Sequence, residues 1–305
     1  MHFSRSARPA RAAALLTGAA LAVTLTGCSE TRGTPVASPS APPAAASSPH
    51  RPAAATGPEV SELRTSWDRL NLGPGVGVAL VPVGGGPVTA FGDPPVMTAW
   101  STIKVPLSIA ALRNKPGDAD ILATVKQAII HSDNDAALKL RRSLGGPNGA
   151  GDAATARTKV TDVLRSGGDE NTDPVHIAYD SDETFGLTPW KLTDAATFAA
   201  HLPCMKNTAK VLDYMGEVDG MQQWGLKSIE IPGGSTAVKG GWGPADDGGY
   251  DVRQLGLITF SDGRQVAVTM QSHRAGEEMG VGTDTLDKIA AWLKKHLSKL
   301  PRGRC

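Results

Sequence analysis

The chain has 305 residues, enough for one large domain or two small ones, and its 31 basic and 30 acidic side chains nearly cancel. That balance argues against a nucleic-acid binder. Seven histidines show no ligand spacing, and no glycine-rich loop joins a strand to a helix, so no metal and no cofactor is expected.

At the start, Arg5, Arg8 and Arg11 precede an apolar run, Ala12 to Leu25, that is too short to span a bilayer comfortably. The run ends in Leu25-Thr26-Gly27-Cys28, which resembles a bacterial lipobox of actinobacterial type. The resemblance implies that residues 1–27 are a lipoprotein signal peptide and that the Cys28 thiol takes a lipid. An ordinary signal peptide with a chance cysteine is the alternative. Cleavage before Cys28 removes three arginines and no acid, so the mature chain has a net charge of −2. Residues 28–58 are Pro, Ala, Ser and Thr with hardly an aliphatic side chain, and such a segment cannot bury enough apolar surface to offset chain entropy. A disordered tether is expected there. It would hold a domain of residues 59–305 outside the cell membrane, anchored by lipid.

Within the domain, Leu63, Trp67 and Leu70 fall at helical spacing behind a Ser61 cap. The run Gly75 to Val83 and the shorter Val88 to Phe91 predict a first β-hairpin across Gly84-Gly85-Gly86-Pro87. A helix begins near Ser101, and Asp120–Ile130 and Ala136–Leu144 read as two more. Residues 146–186, rich in Gly, Asp, Asn and Thr, predict a long loop with some helix. Thr188 and Pro189 open a helix over Trp190–Leu202. Three strands follow, Ala237–Trp242, Leu255–Ser261 and Gln265–Gln271, the last two joined by the turn Ser261-Asp262-Gly263-Arg264. The chain closes with an amphipathic helix, Asp284–Leu297, whose Leu286, Ile289, Ala290, Leu293 and Leu297 share one face. Strands from both ends with helices between them predict an α/β sandwich with a helical lobe and a cleft where the two meet.

Apart from Cys28, the cysteines are Cys204 and Cys305. In an oxidising compartment an even pair predicts a disulfide, with two free thiols as the alternative.

Three short motifs carry chemistry. Ser101-Thr102-Ile103-Lys104 places a hydroxyl and an amine one helical turn apart, where a lysine of lowered pKa can take the serine proton. Pro106 in the first turn puts Ser101 near a helix N-terminus. Ser132-Asp133-Asn134 offers a hydroxyl to pass a proton and an amide to hold a lysine and a substrate carbonyl; the same residue types also cap helices. Lys239-Gly240-Gly241, followed by Trp242, offers positive charge and a bare strand edge along which a ligand backbone can lie. An exposed edge lysine that blocks aggregation is the plainer alternative.

In this order, the motifs resemble the S-x-x-K, S-D-N and K-T-G set of the serine penicillin-recognising enzymes, the class A β-lactamases and penicillin-binding proteins. Gly186-Leu187-Thr188-Pro189 also looks like the segment after that family's active-site loop. The resemblance implies a three-layer α/β sandwich with an antiparallel sheet between terminal helices. It implies Ser101 as acylated nucleophile, Lys104 as its base and Ser132 as proton relay. Asn134 would position the substrate amide and Lys239 would attract its carboxylate. The strand segment Gly241-Trp242 would line the substrate, the N–H groups of Ser101 and Trp242 forming an oxyanion hole. The partner would be a β-lactam or cell-wall-peptide-like small molecule, met by a monomer.

Three departures qualify the pattern. Gly240 stands where the family has a hydroxyl that grips the substrate carboxylate, so Gly240→Thr is expected to speed acylation. The stretch before Thr188 lacks Glu-x-x-Leu-Asn, whose glutamate activates the deacylating water; Asp169, Glu170, Asp173, Asp182 and Glu183 lie there, and spacing singles out none. Ser132 follows Ser101 by only 31 positions, which implies a reduced helical lobe. Slow deacylation is therefore expected, and the rival expectation is a catalytically weak envelope-binding lipoprotein that keeps the fold.

Overall fold

The computed structural model describes residues 56–145, 152–178 and 185–305. The expected signal peptide, Cys28 and nearly all of the tether lie outside the described residues, as do Asp182 and Glu183.

Five antiparallel strands form the central sheet in the order β2-β1-β7-β6-β5. They are β1 Val76–Pro82, β2 Thr89–Gly92, β5 Ser235–Pro244, β6 Tyr250–Thr259 and β7 Gln265–Arg274. Strands from the two ends of the chain meet at the β1–β7 pair, where Val78 faces Met270. β5, which carries the Lys239 motif, is an edge strand, and Lys239 lies opposite Leu255 of β6. A separate two-stranded ribbon pairs β3, Met97–Thr98, with β4, Pro189–Trp190.

Each face of the sheet closes one apolar core. On one face, the terminal helices α1 (Pro58–Asp68) and α8 (Met279–Lys295) bury Leu63, Trp67, Leu286, Ile289 and Leu293. Trp67, Phe91 and Trp292 interlock there, with ring centroids 5.4–6.0 Å apart. The other face carries the helices between the two strand groups: α2 Lys104–Asn114, α3 Ala119–Ile130, α4 Asn134–Ser143, α5 Ala153–Ser166, α6 Leu192–His201 and α7 Ala209–Gly216. α2 is the central one, buried on every side from Lys104 to Ala111. Short side chains cap several N-termini: Asp118 accepts from the Asp120 and Ile121 amides of α3, and Asp133 from the Ala136 amide of α4.

Several boundaries differ from the sequence expectation. Ser61 lies inside α1, donating to Gly57 O at 3.2 Å, because Pro58 starts the helix one turn earlier. Residues 153–166, expected within a loop, form α5, whose Ala156, Val160, Val163 and Leu164 face the core. α7 was not expected either. Pro189–Trp190 forms strand β4 instead of opening a helix, so α6 starts at Leu192. The sulfurs of Cys204 and Cys305 are bonded, joining the short turn after α6 to Cys305 across 101 positions.

Candidate active site

The three motifs meet at the junction of β5 with the helical layer. Ser101 sits in a 3₁₀ turn, Trp100–Ile103, that runs directly into α2, so Lys104 lies one turn beyond it. Trp100 adopts φ 45°, a left-handed conformation that costs a non-glycine residue of order 1 kcal/mol or more. Ser132 is held in the same region, at φ 57°. Both strained residues border the meeting point.

Ser132 is where the two buried lysines converge. Lys104 Nζ donates to the Ser132 carbonyl, lies 3.3 Å from Ser132 Oγ, and donates to Asn134 Oδ1 at 2.7 Å. From the sheet, Lys239 Nζ reaches the same Oγ at 3.0 Å. Burial lowers the Lys104 amine to about 7, opposed by the Asp133 carboxylate. Burial, and then the charge of Lys104, push Lys239 well below the usual lysine range. An amine near 7 is neutral in a large fraction at physiological pH and can accept a proton. Ser101 Oγ takes part in no hydrogen bond among the described residues, and its residue is partly exposed, as is Ser132.

β5 lies close against the Ser101 turn. A Cβ at Gly241 would stand 2.9 Å from Ala99 O and 3.0 Å from the amides of Ser101 and Thr102, so only glycine fits. Gly240 sends its N–H outward to Gln222 Oε1 at 3.1 Å, away from β6. By the alternation of an antiparallel strand, Trp242 also points its N–H to that open edge, beside Ser101. The Ser101 amide therefore lies beside β5 next to Gly241, the residue before Trp242.

Two features were not legible from the motifs. Gln222 is fully buried and joins three elements. Its Oε1 accepts from Lys239 Nζ at 2.6 Å and from Gly240 N, while its Nε2 donates to the carbonyls of Ile129 and Ile130 at 3.1 and 2.8 Å. The Trp224 ring lies against Gly240: a Cβ there would be 2.8 Å from Trp224 Cζ2 and 3.1 Å from Cη2. The absent hydroxyl thus corresponds to space filled by indole, and the expectation that Gly240→Thr speeds acylation is corrected on that ground. Behind the Ser101 turn, the buried Arg253 donates to the carbonyls of Thr98 and Trp190, both at 3.0 Å. Asp251 accepts from Trp100 Nε1 at 3.4 Å and is bonded to His273 at 2.7 Å.

Among the acids in the stretch before Thr188, which spacing did not single out, the described ones are paired within the protein. Asp169 is buried, accepting from the amides of Asn171 and Thr172 and from Trp190 Nε1 at 2.8 Å. Glu170 faces Arg165 at 3.8 Å on the surface, and Asp173 pairs with Arg157.

No family model and no curated protein sequence matches the chain significantly. Solved structures do match. TLA-3 extended-spectrum β-lactamase superposes with a TM-score of 0.60 at 17% identity, over 78% of this chain and 99% of that one. A variant of PBP-A, solved as an acyl-enzyme complex with penicillin G, gives 0.59 at 19% identity over 80% and 100%. A class A β-lactamase representative from Bacteroides cellulosilyticus gives 0.60 at 14% identity over 79% and 99%. The chain has the β-lactamase-like fold, with its antiparallel sheet between two helical layers.

Proposed function

We propose that this domain is a serine acyl-transferase or hydrolase that works through an acyl-enzyme on Ser101, on β-lactams or cell-wall peptides, with slow deacylation. The observation that carries this proposal is the convergence of Lys104 and Lys239 on Ser132 Oγ, beside a serine whose own hydroxyl is uncommitted. In the proposed step, Ser101 Oγ attacks the substrate carbonyl and its proton passes to neutral Lys104. The oxyanion is held by the amides of Ser101 and Trp242; loss of one such donor typically costs about 3–4 kcal/mol of barrier. Collapse breaks the acyl–nitrogen bond. Ser132 then gives its proton to the leaving nitrogen and regains one from Lys104, leaving an ester on Ser101. Water must finally split that ester. Slow deacylation is supported by the described acids of that stretch, Asp169, Glu170 and Asp173, each of which is paired within the protein.

The test is incubation of the full chain with fluorescent penicillin and a phosphonate probe, read by intact mass and peptide mapping. An adduct on Ser101 that persists for hours and is absent from Ser101→Ala is the expected result. Rapid nitrocefin turnover would refute slow deacylation. Absence of any adduct at millimolar probe would favour the binding-lipoprotein alternative. We also propose that Cys28 carries the lipid that anchors the protein on the outer face of the membrane, supported by the Leu25-Thr26-Gly27-Cys28 sequence. Cys28→Ala is expected to move the protein from the membrane to the soluble fraction, and unchanged membrane association would refute the anchor.

A further inference from the structure

From the surroundings of the β5 edge we infer that the substrate of this site is uncharged, with an apolar group where β-lactams and peptides present a carboxylate. This inference rests on Ser101 being the acylated nucleophile and narrows what Ser101 attacks.

The first support is the state of Lys239, the motif's anion-binding group. Its side chain has 0% exposure, and its Nζ has three oxygen neighbours inside the protein: Ser132 Oγ at 3.0 Å, Gln222 Oε1 at 2.6 Å and Gly240 O at 2.8 Å. An ammonium has three protons, so these neighbours use its full capacity. A ligand carboxylate could bind only by displacing one of them. Gln222 is the poorest candidate for displacement, because its amide is pinned at the other end by two carbonyls of α3.

The second support is what fills the space instead. The hydroxyl-bearing side chain absent at Gly240 is replaced by the ring of Trp224, which meets Trp242 edge to face at 6.2 Å. Trp242 is partly exposed, and Met221, on the same short turn as Gln222, is 61% exposed. Indole surface on β5 beside the Ser101 turn favours apolar groups, and a carboxylate set against it would lose its hydration without a partner.

The third support is charge. The junction into α4 that carries Ser132 and Asn134 also presents Asp133 and Asp135 to solvent. Asp133 acts electrostatically on Lys104, so its field reaches the site. Carboxylates on this side oppose the approach of an anionic substrate. Nearby Arg253 offers no compensation, since it is buried and donates to main-chain carbonyls.

A matched pair tests this: benzylpenicillin against its methyl ester, which differ in one charge and share the reacting carbonyl. Intact-mass kinetics on the full chain in detergent, with Ser101→Ala as control, give the rate of adduct formation for each. The ester is expected to modify Ser101 at least tenfold faster than the free acid. If the acid reacts as fast or faster, the inference is overturned while Ser101 as nucleophile stands. If neither compound nor a neutral diphenyl phosphonate labels Ser101, or if Ser101→Ala is labelled equally, Ser101 is not the nucleophile and the inference falls with it.

Discussion

Replacing Gly240 by threonine is the sharpest test of how this site departs from its structural relatives. By motif alone the change restores a familiar hydroxyl. In the structure, the new Cβ would lie 2.8 Å from Trp224 Cζ2 and 3.1 Å from Cη2, before the hydroxyl and methyl are added. Both neighbours belong to a rigid, nearly buried indole that stacks edge to face on Trp242. Overpacking of this kind typically costs about 1–3 kcal/mol. For a domain of this size each kcal/mol shifts Tm by roughly 2–4 °C, so a loss of about 2–12 °C is expected. Ser101 labelling should slow as well, because a displaced Trp224 disturbs β5 on both sides of Gly241. Thermal unfolding followed by circular dichroism, with labelling rates in parallel, measures both effects. Trimming the ring first should relieve the clash: the cost of Gly240→Thr should largely vanish in a Trp224→Val background, giving a coupling of about 1–3 kcal/mol in the double-mutant cycle. A Gly240→Thr protein as stable as the parent and faster to acylate would refute this packing account.

Two further outcomes follow from the same geometry. Because Lys104 is lowered to about 7 and acts when neutral, the rate of Ser101 labelling by an uncharged probe should rise with pH through about 7 and level above it; a rate flat from pH 5 to 9, or one falling with pH, would rule out Lys104 as the base. Opening the Cys204–Cys305 bond by Cys204→Ser with Cys305→Ser should lower stability by up to about 4–5 kcal/mol, since the bond closes a loop across 101 positions, and a denaturation midpoint unchanged by the double substitution would show that the chain end is held by its other contacts.

The strands and terminal helices were legible because each keeps one period. Val76 to Val81 is a run suited only to a covered strand, and Leu286, Ile289, Ala290 and Leu293 mark one helix face. α5 was obscured by its flanking glycines and by threonine and arginine, although Asp152 as cap and Val160, Val163 and Leu164 at helical spacing carried the signal. α7 has only eight residues, with Val211 and Met215 as its buried pair, too little pattern to stand out. In the candidate site, Ser101, Lys104, Ser132 and Lys239 could be picked out because each lies in a short motif visible in the sequence. Gln222 could not, because a lone glutamine has no period and no partner in sequence; its role arises only when the turn after α7 meets β5 and the end of α3. Trp224 was hidden for the same reason. The glycine at position 240 looked like a loss, and its cause lay 16 positions away.

The two lysines at Ser132 also constrain how protons can be arranged. A serine hydroxyl holds one proton, so Ser132 can donate to Lys104 or to Lys239 but not to both. Each lysine also faces fixed acceptors, the Ser132 carbonyl and Asn134 Oδ1 for Lys104, Gln222 Oε1 and the Gly240 carbonyl for Lys239. Those acceptors occupy two N–H groups on each amine. A neutral lysine can accept from the Ser132 hydroxyl, and the other lysine must then donate to it. At most one of the two can be neutral while every contact is kept. Lys104 is the one placed a helical turn from Ser101, and in the proposed reaction its neutral form is the base. In that arrangement Lys239 is the charged amine, and the Gln222 carbonyl, held in place by α3, opposes the burial that pushes its amine well below the usual lysine range. Gln222 thereby holds Lys239 against Ser132, which links a residue with no sequence signature to the motif residues.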